Sequence, residues 1–358
     1  MKGRIFAYVS TYLRTRTLIL CVLLLGVLLV GVLGYVHVRE TPGSYEGQAA
    51  QAESHWRERI RAIGPTAAYE EFAQSVAGLE ALDQHSKAHV FGAALYHEIG
   101  LKGASICDER FGQGCLHEFI GLAVVDRGVA VLDELHAECQ ATLGLTGYFC
   151  EHGVGHGLMT YFGVTDTGLK TSLKYCDKYE SEDPLNGCYT GSFMEYFERN
   201  VTVGDDSPRP VENGNYSSIC GELSGTSHWL CFYSLPRWWH QLYKHQGMAE
   251  EDIFPILRDR CLAVPEDMRS DCFNGLGHIT PSAVDYSVPK TIQMCAVVTQ
   301  GNVSLDARCR AHAANDFLLE VGKPEALQVC EGLSGASFTF CHAYATIIEQ
   351  KTITVPAP

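Results

Sequence analysis

Fourteen of the fifteen cysteines in this 358-residue chain fall into seven brackets, each closing a short loop. The brackets are Cys107/Cys115, Cys139/Cys150, Cys176/Cys188, Cys220/Cys231, Cys261/Cys272, Cys295/Cys309 and Cys330/Cys341. Four of the loops hold ten residues between their cysteines. Two of these, CGELSGTSHWLC (220–231) and CEGLSGASFTFC (330–341), both read C-x-x-L-S-G-x-S-x-x-x-C, and CQATLGLTGYFC (139–150) is a looser version. No C-x-x-C occurs, so a zinc ribbon, a c-type haem attachment and a thioredoxin-like redox pair all lack their closely spaced ligands. The recurrent bracket makes nearest-neighbour disulfides the natural pairing, although spacing alone leaves other connectivities open. Disulfides in this number point to an oxidising compartment.

The first cysteines of successive brackets lie 32, 37, 44, 41, 34 and 35 residues apart. Periods of this size belong to two-helix repeats that stack into a solenoid. The segments between loops agree. From Cys115, CLHEFIGLAVVDRG is apolar and ends at Gly128, and VAVLDELHAEC is a second amphipathic stretch reaching Cys139. The second cysteine of a bracket therefore opens a helix, and the first cysteine of the next bracket closes its partner. The expected fold is all-α: about seven or eight two-helix units, each stapled to the next. A loop of this length contributes about 2–3 kcal/mol when closed by a disulfide.

The bracket CDERFGQGC (107–115), with glycine before its second cysteine and an amphipathic helix ending at Cys139, resembles the Sel1-like repeats of bacterial secreted cysteine-rich proteins. That resemblance implies disulfide-stapled αα-hairpins over about residues 80–350 and a binding scaffold as the function. Only the first bracket has the family's short spacing, and the longer loops and the histidines described below depart from it.

Upstream of the repeats, Thr17 to Val36 reads TLILCVLLLGVLLVGVLGYV, without a charge and with the remaining cysteine, Cys21, inside it. Twenty residues at about 1.5 Å each span a hydrocarbon core of about 30 Å. Lys2, Arg4, Arg14 and Arg16 precede the segment, which predicts a cytoplasmic N-terminus (1–16) and an exported C-terminal part. A cleaved signal peptide is the competing reading, but the run is long and no clean A-x-A pattern follows it. Residues 37–56 then form a stalk, 57–350 the exported repeat domain and 351–358 a tail.

Every acidic residue lies beyond residue 36, leaving 23 basic against 42 acidic side chains there. A field of that sign repels nucleic acid and excludes it as a partner, and it favours a basic or cationic one. With 46% hydrophobic and 19% charged residues the exported part can bury a core.

Alignment on the second cysteine, counted as zero, brings out a pattern in the histidines. Position +2 holds His117 and His152, and position +6 holds His156 and His278. The stretch DQHSKAHVFGAALY (83–96) aligns with Asp83 at zero, which puts His85 at +2 and His89 at +6. Two H-x-x-x-H pairs result, each with both imidazoles on one helix face. Stacked repeats should line these up with Glu118, Glu195 and Met194 nearby. His85, His89, His117, His152 and His156 are thus a candidate site for zinc or copper, or for acid–base chemistry. H-E-x-x-H is absent. The competing reading makes them polar core residues that recur because the repeat recurs. His136, His228, His240, His245, His312 and His342 stand outside the register.

Three further features complete the reading. LPRWWHQLY (235–243) suits either an interface or helix packing. VTVGDDSPRPVENGNYSS (201–218) is expected to be an exposed insertion, and Asn200, Asn215 and Asn302 sit in glycosylation tripeptides. No G-x-S-x-G elbow, Walker loop or dinucleotide fingerprint is present. The leading functional expectation is a membrane-anchored extracytoplasmic scaffold presenting a concave acidic surface to a protein or peptide. The alternative is a zinc or copper metalloprotein, a hydrolase or a metal-handling protein, centred on the five histidines.

Overall fold

The computed structural model describes residues 45–346, apart from 109, 144–146, 180–184, 186 and 199–207. The anchor expected at 17–36, the stalk before residue 45 and the tail 351–358 lie outside the described residues. Among those described, no helix is long and apolar enough to cross a membrane, and no strand occurs.

The chain is a succession of α-helices: α1 (Tyr45–Ile63), α2 (Pro65–Val76), α3 (Ala81–Ile99), α4 (Gly114–Arg127), α5 (Leu132–Leu143), α6 (Gly147–Phe162), α7 (Asp166–Tyr179) and α8 (Cys188–Glu198). They continue as α9 (Thr226–His245), α10 (Glu250–Ala263), α11 (Arg269–Ala283), α12 (Val288–Thr299), α13 (Val303–Glu320), α14 (Lys323–Val329) and α15 (Gly335–Tyr344). Residues 45–56, expected as stalk, belong instead to α1. This helix packs on α3 and sets Trp56 edge-on to Phe72 and Phe91. The small polar residues ahead of Trp56 are good helix formers (Gln48, Ala49, Ala50, Gln51, Ala52, Glu53), and composition alone does not separate such a helix from a tether.

The second cysteine of each bracket lies in the first two turns of a helix, as the pattern requires: Cys115 in α4, Cys150 in α6, Cys188 in α8, Cys231 in α9, Cys272 in α11, Cys309 in α13 and Cys341 in α15. Together with α3, these helices contact one another in sequence and form an inner layer. The intervening α5, α7, α10, α12 and α14 lie outside it. Disulfides join Cys107–Cys115, Cys176–Cys188, Cys220–Cys231, Cys261–Cys272, Cys295–Cys309 and Cys330–Cys341, with Cα–Cα distances of 5.3–5.7 Å. Cys150 is also disulfide-bonded, while the Cys139 side chain lies outside the described residues.

Inner helices approach closely because glycine faces backbone at their crossings. A Cβ on Gly155 of α6 would stand 2.2 Å from the Cys188 carbonyl oxygen, and one on Gly191 of α8 would stand 2.0 Å from that of His152. No side chain fits either place, so the glycines that flank the histidines set the helix separation there. The superhelix also curls tightly. The Glu320 carboxylate, at the end of α13, comes 3.6 Å from the Cβ position of Gly112, just ahead of α4.

The WWH segment serves packing. Trp238 and Trp239 are buried and donate their indole N–H groups to the carbonyls of Arg209 and Tyr216. The described part of 201–218 is also less exposed than expected: Arg209 is buried, stacks on Tyr196 and binds Asp166. Asn302 caps α13 through its side chain, and Asn215 turns its own loop through Ser217 and Ser218.

Candidate metal centre

The five candidate histidines meet in one cluster, with His117 and His156 buried and the other three half-buried. His85 and His89 come from α3, His117 from α4, and His152 and His156 from α6. The ligand atoms of His85, His89 and His117 all lie within 4.8 Å of one another. The His117 ring centroid is 5.7 and 6.1 Å from those of His85 and His89, and 4.9 and 5.2 Å from those of His152 and His156. His117 therefore stands between the two H-x-x-x-H pairs.

Each pair is held the same way. In the first, the two Nε2 atoms are 3.0 Å apart, His85 Nδ1 lies 2.9 Å from the Phe111 carbonyl and His89 Nδ1 lies 3.3 Å from Glu118 Oε2. In the second, the Nε2 atoms are 3.1 Å apart, His152 Nδ1 lies 3.2 Å from Thr190 Oγ1 and His156 Nδ1 lies 3.0 Å from Glu195 Oε2. The partners fix the tautomers. A carbonyl and a carboxylate accept only, and Thr190 gives its own hydroxyl proton to the Gly187 carbonyl, so its oxygen accepts from His152. All four Nδ1 atoms thus carry a proton, which leaves Nε2 a bare lone pair in each ring that is neutral. Two acceptors facing each other at about 3 Å repel unless a cation lies between them.

Burial and the neighbouring His89 hold His85 at about 3, burial and His89 do the same for His156, and burial drives His117 and His152 well below the ordinary imidazole value. His85, His117, His152 and His156 are therefore neutral at pH 7 and ready to ligate. With metal–nitrogen bonds of about 2.0–2.1 Å, a separation of about 3 Å corresponds to an angle of about 95° at an ion. A carboxylate or carbonyl on the far nitrogen is the usual support for a metal-bound histidine.

The backbone beside His85 is strained. Phe111, Gly112 and Gln113 take left-handed φ values of 60, 53 and 64° in succession, and two of the three carry a Cβ. Each non-glycine in that region costs about 1 kcal/mol or more. The arrangement aims the Phe111 carbonyl at His85.

Farther round the inner layer lies a third, incomplete version. Asn274 and His278 of α11 occupy the +2 and +6 positions, and His278 Nδ1 is 3.5 Å from Asp316 Oδ1 of α13. His312 is buried nearby with neither ring nitrogen hydrogen-bonded, and its ring lies 5.5 Å from that of Tyr233. Burial lowers His278 and His312 to about 3 and raises Asp316 well above its ordinary value. Arg237 holds Glu198, and its charge acts on His85, His152, His156 and His278. Sequence reasoning passed over Arg237, although it stands at +6 after Cys231, and over His312, one residue out of register. Met194, expected near the histidines, is partly buried at +6 of α8.

Comparison with known protein families, curated proteins and solved structures finds no match to this chain. The Sel1-like resemblance thus gains no relative, and the functional reading depends on the site itself.

Proposed function

We propose that this chain is a transition-metal protein whose centre is built from His85, His89, His117, His152 and His156, with Glu118 and Glu195 as supporting acceptors. One observation carries the reading: two H-x-x-x-H pairs turn their Nε2 atoms on each other at 3.0 and 3.1 Å, with every Nδ1 atom already engaged by an acceptor. Neutral imidazoles without thiolates suit zinc or copper. The charge balance agrees, because Glu118 and Glu195 each set a carboxylate against one of the two pairs. A divalent cation offsets that charge.

Burial limits what such a centre can do. His156 is fully buried, Glu195 is 1% exposed and His117 5% exposed. Any substrate has to be small, and storage or handling of the metal fits the enclosure at least as well as hydrolysis does. The same burial weakens the scaffold reading, since the inner face carries packed histidines where an open acidic groove was expected. Seven cysteine brackets and the apolar run 17–36 support placing the centre outside the cytoplasm behind a membrane anchor. Retention in the membrane pellet after carbonate extraction tests the anchor.

Thermal denaturation of the chelator-treated full chain tests the metal reading. A stoichiometric addition of Zn(II) or Cu(II) is expected to raise Tm, by the stabilisation that a ligand held only by the folded state provides. An unchanged Tm with both ions refutes it.

A further inference from the structure

We infer that the centre is binuclear and that His117 is shared, one ring nitrogen to each of two ions. This deepens the metal reading and rests on it. The two pairs are complete and separate. Each has its own two facing Nε2 atoms, its own supporting carboxylate and its own helix, α3 for one and α6 for the other. The ligand atoms that lie within 4.8 Å of one another are those of His85, His89 and His117, so His152 and His156 stand outside that group and need an ion of their own.

His117 is the residue whose surroundings call for this. It is buried, and neither Nδ1 nor Nε2 has a hydrogen-bond partner. A histidine serving packing alone would cost about 1–3 kcal/mol for each unpaired nitrogen. A histidine serving one ion would still leave the other nitrogen unpaired, whereas ligating histidines nearly always have that nitrogen engaged. Two ions use both.

Ring geometry separates the two positions. A nitrogen-bound ion lies about 3.2 Å from the ring centroid, taking metal–nitrogen bonds of about 2.0–2.1 Å. Two rings on one ion then have centroids about 4.5 Å apart at a right angle and about 5.2 Å apart at a tetrahedral one. His117, His152 and His156 have centroid separations of 4.9, 5.2 and 4.9 Å, which is a three-cornered pyramid with a fourth position open. For His85, His89 and His117 the separations are 4.7, 5.7 and 6.1 Å, a flatter arrangement. The two ions are therefore inequivalent. The pyramidal one keeps the vacant position that water or a small ligand would take. Binding the second ion displaces the single proton of the neutral His117 ring, and that proton leaves to water.

Copper(II) is the probe, because a bridging imidazole couples two unpaired electrons. The chelator-treated full chain is titrated with Cu(II), and metal content and low-temperature electron paramagnetic resonance are read at each step. Two coppers per chain are expected, with spin intensity that rises for the first equivalent and falls well below one spin at the second. In His117→Ala and His117→Gln, two coppers still bind, one to each pair, and the full intensity of two isolated spins returns. Two tightly held but uncoupled coppers in the natural chain, or only one, overturn the shared histidine while leaving the metal reading intact. No tightly held copper overturns both. Circular dichroism of the two variants confirms that each has folded, and agreement between them removes side-chain size as the cause.

Discussion

Lowering the pH of the metal-free protein should unfold it well before ordinary acid denaturation sets in. Six imidazoles of the inner layer, three buried and three half-buried, are held neutral by desolvation: His85, His117, His152, His156, His278 and His312. In the unfolded chain each titrates at about 6.5. Where the folded value is the lower one, the unfolded state binds more protons between the two values, and stability falls as pH falls. The contribution is complete above about pH 6.5 and is lost on the way down to about 3. Between pH 7.5 and 5.5 each imidazole forfeits about 1.4 kcal/mol, or about 8 kcal/mol for six. Asp316 and Glu320 act the other way, since burial raises both. While they are protonated in the folded state and ionised in the unfolded one, each returns up to about 2.7 kcal/mol over the same window. The net loss is thus about 3–8 kcal/mol, against a total stability of about 5–15 kcal/mol for a typical domain. Urea denaturation by circular dichroism at pH 7.5 and 5.5, with chelator and with disulfides intact, measures it. The double variant His278→Gln/His312→Gln, outside the proposed centre, should lose about 3 kcal/mol less over the same window. Equal stability at the two pH values would refute the claim that these imidazoles are held neutral by the fold.

Four other variants probe separate parts of the account. Glu195→Gln keeps the size of the residue but weakens the acceptor at His156 Nδ1, and metal affinity by calorimetry should fall about 10–100-fold with the helix content unchanged. Gly191→Ala puts a methyl 2.0 Å from the His152 carbonyl, and should cost about 1–3 kcal/mol or more in urea denaturation. Gly221→Ala, with nothing within 4 Å, should change little by the same measure. Cys330→Ala/Cys341→Ala removes the last staple and should cost about 2–3 kcal/mol, read as a lower Tm.

Much of this structure was legible in the order of the cysteines. A bracket every 32 to 44 residues marks where each hairpin hands over to the next, and six of those brackets are seen closed by the expected partner. The same register, carried to +2 and +6, brought together five histidines from three helices. It did so because inner helices of a stacked repeat place equivalent positions on one face. What the register could not supply was the offset between neighbours. His89 meets Glu118, three residues after Cys115, whereas His156 meets Glu195, seven residues after Cys188. That is a slide of one helical turn, set by where the glycines let backbones touch. Curvature was equally hidden: nothing local in 107–115 or 309–320 says that Glu320 returns to Gly112. An open concave face was expected for that reason, and His312 and Arg237 were passed over although both belong to the inner layer, His312 buried and Arg237 half-buried. The helix at 45–63 was missed because its outward residues resemble a tether, and its packing hangs on Trp56 and Ile60.

The most direct test is the metal content of the purified full chain beside that of His152→Ala/His156→Ala, both with disulfides intact. The account predicts two tightly held transition-metal ions in the natural chain and one in the variant, whose α3 pair is untouched. Equal metal content in the two proteins, or none in either after incubation with zinc and copper, would contradict it.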